Sequence, residues 1–335
     1  MKLANFLVLS FFVLFFVQSA VAQRTVSVLD SGWKFSEGSN EQAFLPDFND
    51  AGWQTVEVPH DWAIEGPFDM AGNGSTGKLP WKGEGWYRKN LEIPAGFAGK
   101  TIYLLFDGVM AFPQVFINGQ LAGKWDYGYN SFYLDVTKLV QPGGENLLAV
   151  YADTRNHDSR WYPGAGIYRK VQLIAVNPVH VDIWGTYITT PVIKPHMATV
   201  QIETSVRNNN SVEKQVVVKQ TIFNKKGYKV GETSETIAIS ATGNNQSNSV
   251  ITLLNPERWE PGNPVLYSVK TEILENNQIV DTYETPFGVR EIRITPDHGL
   301  YVNDKRVQLK GVNLHHDFGA LGAAFNYRAM QRQLE

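Results

Sequence analysis

The sequence contains no cysteine. Disulfide scaffolds, zinc fingers, iron–sulfur clusters and thiol nucleophiles are all excluded by that one count. Charge is also sparse. Only 19% of residues are Asp, Glu, Lys or Arg, and their formal sum is -3. No basic field exists to hold nucleic acid, so nucleic acid is not an expected partner. Long apolar runs are missing after the first twenty residues. What the chain does have is aromatic side chains, at 12%, with 29 glycines and 16 prolines among 335 residues. At about 100–200 residues per domain this suggests two or three domains, each with its own core, and the low charge argues against disorder.

The first segment reads as an export signal. Lys2 precedes an apolar stretch from Phe6 to Val17, broken only by Ser10, and Ala20 and Ala22 give the small-x-small spacing of a cleavage site. The run is shorter than the roughly 20 residues of a membrane span, so cleavage after Ala22 is expected, with retention as an anchor the alternative. The mature protein is then exported, periplasmic or extracellular, and no membrane partner is expected after cleavage.

From 23 to 176 the chain alternates short strands with Gly, Pro, Asn and Asp turns. Thr101–Phe106 is a buried strand ended by Asp107-Gly108. Gln114–Ile117 and Gln120–Gly123 flank Asn118-Gly119, a strong hairpin signal. The segments 146–151 and 169–176 read as further core strands. Many short strands without helical period point to a sandwich or jelly roll. From 177 to 288 clean alternation returns, as in Val200–Val206, Val216–Ile222 and Leu266–Ile273, with Asn-rich turns between. About 110 residues of this pattern suit an immunoglobulin-like sandwich.

After 288 the pattern changes. Arg306–Val312 reads as a strand ending in a polar cluster, Asn313–Asp317. From Asn326 an amphipathic helix opens with Tyr327, Met330 and Leu334 on one face. One β/α unit cannot bury both its faces, so 289–335 is expected to be the start of a truncated (β/α)8 barrel.

Eight of nine tryptophans, Trp33, Trp53, Trp62, Trp81, Trp86, Trp125, Trp161 and Trp184, fall in or beside the first domain, and only Trp259 lies outside it. Indole faces stack on sugar rings, although most single tryptophans serve core or turn packing. Pro59-His60-Asp61-Trp62 and the run Ser159–Arg169 mix glycine, aromatic and charged residues, as a site loop does; a purely structural knot of loops is the other reading. Arg160 offers a bidentate donor suited to carboxylates. His315-His316-Asp317 follows the barrel-type strand, where polar side chains would face an active site and bond sugar hydroxyls. A metal site, or a capping or core role for either histidine, are its alternatives.

Other motifs fail. Gly99-Lys100-Thr101 lacks the earlier glycine of a phosphate loop, since Pro94 stands there. Neither a G-x-S-x-G elbow nor an H-E-x-x-H helix occurs. Asn40-Glu41 lies far from any barrel strand and is read as chance.

Taken together, Pro59–Trp62, Ser159–Arg169 and Gly311–Asp317 resemble glycoside hydrolase family 2, and within it exported bacterial β-galactosidases. The resemblance spans the mature chain in order, and implies a jelly-roll sugar-binding domain, an immunoglobulin-like sandwich and a barrel. It implies a carbohydrate substrate and a retaining mechanism with two carboxyl groups about 5–5.5 Å apart. The family's acid/base and nucleophile glutamates match no position here and are expected beyond Glu335, so the chain alone should be inactive. A barrel needs roughly 250 residues. His315 and Asp317 match positions that contact the sugar, while Asp61, Trp62, Arg160 and Trp161 sit on loops that reach the barrel mouth in some members. Magnesium or sodium is used by some members, though no ligand set for either is visible. Homo-oligomerisation stays open. β-Glucuronidases share the architecture and are the nearest alternative, and a non-catalytic carbohydrate-binding protein is the alternative from another class.

Overall fold

The computed structural model describes residues 24–335, so the export signal lies outside the described residues. The chain is mainly β, as expected. Its first unit packs two antiparallel sheets face to face. One has the strand order Thr25–Val28, Val171–Val176, Thr101–Phe106, Phe132–Asp135. The other runs Gln54–Val56, Trp33–Glu37, Glu84–Asn90, Leu147–Asp153, Gln114–Ile117, Gln120–Lys124. Thr101–Phe106 is buried at every position, because one face meets the sandwich core and the other meets the next domain. Phe106, Ile117, Leu148, Tyr87 and Trp33 fill the sandwich. The Asn118-Gly119 hairpin forms as its dipeptide demands, with φ of 51° and 82°.

The second unit is also a two-sheet sandwich. Val179–Lys194, Met197–Asn208 and Gly243–Leu254 make one sheet. Lys229–Ile239, Lys214–Phe223, Tyr267–Glu275 and Gln278–Phe287 make the other. Met197–Asn208 buries every second residue, the pattern a half-buried strand requires. Ionic and polar contacts lock this unit to the first. Asp281, fully buried, pairs with Arg24 at 2.9 Å and accepts the Val181 amide at 2.8 Å, while Tyr103 Oη meets His180 Nε2 at 3.0 Å.

Beyond 288 the structure corrects one expectation. A strand over Arg306–Val312 does not form; pairing reaches only Lys305–Arg306, the last strand of a three-stranded meander with Ile292–Thr295 and Gly299–Val302. A barrel strand is held by parallel neighbours on both sides, and the described residues supply none for this segment. Leu309 and Val312 are consequently 79% and 84% exposed. The helix does form, over Tyr327–Leu334, with Asn326 Oδ1 accepting the Ala329 amide. Its apolar residues Tyr327 and Leu334 also face solvent.

Candidate functional site

Three distant segments converge at one end of the jelly roll: the loop after Val58, the loop 159–169, and the stretch 313–325. Asp61 ties them together. Its Oδ1 accepts the Ala63 and Ala165 amides at 3.1 and 3.0 Å; its Oδ2 accepts Tyr162 Oη at 2.7 Å and the Ala323 amide at 2.8 Å. A carboxylate has about four lone-pair sites, and all four are in use. Burial pushes the carboxyl pKa up, against the pull of those bonds, and the same burial with the neighbouring carboxylate drives Tyr162 far above the ordinary tyrosine range.

Asp61, 2% exposed, therefore has no lone pair left for a sugar hydroxyl. Its expected place among the sugar contacts is corrected to that of a clamp. Trp62 is corrected likewise. It is 5% exposed and stacked on Phe35 at 5.6 Å, and it serves the core. The glycines of Pro163-Gly164-Ala165-Gly166 explain why the clamp closes. A Cβ on Gly164 would lie 2.3 Å from Ala323 Cβ, and one on Gly166 would lie 2.1 Å from Tyr87 Oη.

Above the clamp lies an open concavity of ≈ 560 Å³ lined by Tyr129, Arg160, Trp161, Asn313, Leu314, His315 and His316. Trp161 donates its indole N–H to Tyr129 Oη at 3.1 Å, which fixes the ring and leaves it half-buried. His315 faces Trp161 with ring centroids 5.8 Å apart. His316 is anchored: its Nε2 lies 2.8 Å from the Pro163 carbonyl, and its ring stands edge-on to Tyr129 at 5.5 Å. A carbonyl accepts only, so His316 carries its proton on Nε2 there. Burial raises the Tyr129 hydroxyl pKa, and the Trp161 indole opposes the shift. The Arg160 guanidinium is exposed and makes no hydrogen bond or ion pair with any described residue.

The structure thus brings Arg160, Trp161 and His315 together across 155 positions of sequence (315 minus 160). It does not bring Asp317 to the concavity. That residue is half-buried on the Tyr162 side, where its charge helps hold the Tyr162 hydroxyl protonated. Sequence reasoning missed Tyr129, which touches Trp161, His316, Tyr127 and His157. Its signal was the loop Asp126-Tyr127-Gly128-Tyr129-Asn130, a glycine between two tyrosines. Among the described residues no group of three or more His, Asp or Glu side chains converges to hold a metal ion. No helix among them is long and apolar enough to cross a membrane. Chemically, the concavity offers an indole face, imidazole and amide hydrogen-bonding groups and a free cation. That set suits a polyhydroxylated ring.

Residues 26–177 match the family model described as glycosyl hydrolases family 2, sugar binding domain, and residues 179–290 match the model glycosyl hydrolases family 2. The chain is similar to the β-galactosidase BoGH2A of Bacteroides ovatus, 37% identical over 95% of this chain and 38% of that protein. It is similar to a β-glucuronidase of Formosa agariphila, 28% identical over 87% of this chain and 32% of that protein. A solved family 2 member from Bacteroides cellulosilyticus superposes with a TM-score of 0.87 at 32% identity, covering 92% of this chain and 41% of that one. The chain spans well under half the length of each.

Proposed function

The chain belongs to glycosyl hydrolases family 2, and from that premise we propose that the protein containing it is an exported retaining glycosidase that removes terminal β-linked galactose from oligo- or polysaccharides. The observation that carries the reading is the concavity itself, where the fixed Trp161 indole stands opposite His315 with Asn313 beside it. An apolar ring face flanked by directional polar groups binds a pyranose by stacking and by hydroxyl contacts together. In this reading Trp161 and His315 hold the terminal sugar, and Asp317 joins them once a barrel is formed around the segment. The two reacting carboxyls come from outside this chain: one protonates the leaving oxygen while the other attacks the anomeric carbon, and water then releases the sugar. The neutral sugar is favoured by the Bacteroides ovatus relative, a β-galactosidase.

A β-glucuronidase is the second reading, and Arg160 favours it. Its unpaired guanidinium at the concavity could take a sugar carboxylate in bidentate fashion. The similarity to a Formosa agariphila β-glucuronidase points the same way.

The deciding experiment measures kcat/KM of the full-length protein on an aryl β-galactoside and on the matching aryl β-glucuronide, with the 335-residue chain assayed beside it. Galactoside preferred by tenfold or more, with the 335-residue chain inactive, supports the proposal. Glucuronide preferred, with the preference lost in Arg160→Gln, replaces it with the second reading. Binding of galactose without turnover by the full-length protein means a carbohydrate-binding protein. N-terminal sequencing of the secreted form should begin at Gln23.

A further inference from the structure

An aromatic band leaves the concavity and crosses the end of the jelly roll. It starts at Trp161 and passes to Tyr129 at 6.3 Å, where it divides. One arm reaches Tyr127 at 5.5 Å; the other reaches His157 at 6.2 Å and then Phe112 at 6.5 Å. Tyr127 is 59% exposed and Phe112 is 40% exposed, unlike Trp33, Trp62, Trp81 and Trp86, which are buried in cores. Exposed apolar rings linked through half-buried ones to a polar concavity mark a binding surface more than a packing accident.

The band is also rigidly built. Gly128, between the two tyrosines, gives its carbonyl to Tyr168 Oη at 2.9 Å, and a Cβ there would lie 2.7 Å from the Met110 sulfur. Met110 in turn exchanges backbone hydrogen bonds of 2.9 and 2.7 Å with Gly166, the glycine of the loop that carries Trp161. Phe112 is held at φ 48°, a conformation a bulky side chain adopts only when its surroundings impose it. Loops fixed in this way lose little entropy on binding.

We infer that this band is the acceptor-side track of the site, taking the second and third sugar units of a β-linked oligosaccharide whose terminal unit sits at Trp161 and His315. The inference rests on the glycosidase reading of the same site and adds its substrate class: chains of at least three sugars. Each ring-to-ring step is comparable in length to a pyranose. Polar groups accompany the rings: the Tyr129 hydroxyl, which accepts the Trp161 indole N–H, and the exposed Arg160 guanidinium on the concavity. A protein partner would require a broader dry centre than these rings give.

The test compares the full-length protein with its Tyr127→Ala and Phe112→Ala variants on three substrates: an aryl β-galactoside, β-1,4-galactobiose and β-1,4-galactotriose. The wild type is expected to prefer the trisaccharide to the disaccharide. Each variant is expected to lose about fivefold more kcat/KM on the trisaccharide than on the aryl substrate. Equal losses on both substrates, or no dependence on chain length in the wild type, overturn the track. So does a variant that alters oligomeric state while keeping the length preference, since a second copy then covers the band. If the wild type hydrolyses no aryl β-galactoside or β-glucuronide, the glycosidase reading fails instead. Titration calorimetry with galactotriose then judges the track: binding weakened in Tyr127→Ala upholds it, and unchanged or undetectable binding overturns it.

Discussion

The Ala323 amide donates to Asp61 Oδ2 at 2.8 Å, a contact between residues 262 positions apart. Through it a buried carboxylate of the first domain holds the last ordered stretch before the C-terminal helix, which follows directly on the segment bearing His315 and His316. The other three bonds to Asp61 hold the 60s and 160s loops, so one side chain sets the relative position of all three parts of the site.

Asp61→Asn keeps the shape of the side chain but turns a donor toward amides or a hydroxyl that also donate. Each buried group left unpaired costs about 1–3 kcal/mol. The variant is expected to lose about 2–4 kcal/mol of stability in urea unfolding, with weaker sugar binding as a consequence. An unchanged unfolding midpoint would show that Asp61 is not the clamp.

Gly164→Ala attacks the same junction from the other side. The new Cβ would collide with Ala323 at 2.3 Å, at a backbone φ of 71° that alanine disfavours. Stretch 313–325 should detach first. Hydrogen exchange at the Ala323 and Phe325 amides is expected to quicken far more than exchange in the strand Thr101–Phe106. Uniform acceleration across the chain would mean global destabilisation instead.

Trp161→Ala removes the stacking face while leaving His315 and Asn313. In the full-length protein it should raise KM for an aryl β-galactoside about tenfold. Trp161→Phe, which retains a ring but no N–H, should fall between the two. A fall in kcat with KM unchanged would assign Trp161 to the transition state alone.

His180 predicts the acid limit of the domain junction. Burial is the main cause that lowers its pKa to about 4, and Arg24 adds to the shift, while Asp281, the Asn177 carbonyl and Asp182 oppose it. The folded pKa lies below the unfolded value near 6.5, so the unfolded chain binds the proton first. Stability is therefore full above pH 6.5 and declines as the pH falls toward 4, by on the order of 3 kcal/mol. Unfolding midpoints measured from pH 7 to pH 4 should show that decline, reduced in His180→Gln, whose amide carries no charge.

Much of this was legible in residue order. The alternation of Val200–Val206 and the Asn118-Gly119 turn are local signals, and both formed where they were read, because strand period and turn sterics act over a few residues. Arg306–Val312 carried an equally plausible strand pattern and paired only at its first residues, because a strand exists only with a neighbour to bond. The site divided in the same way. Residue types marked the loops around Asp61, Arg160, Trp161 and His315 as chemically active, since glycine, aromatics and charge in one loop are unusual in any fold. They could not say which charge was free. Asp61 and Arg160 look alike in sequence, each a charged residue beside a tryptophan. Burial and four donors consume the first, and the second stands unpaired in solvent. Sequence by itself determined the strands, the turns and the list of candidates, because propensity and period are short-range. Only the tertiary structure decided which of them face a ligand, because solvent exposure and hydrogen-bond saturation are set by contacts between residues a hundred or more positions apart.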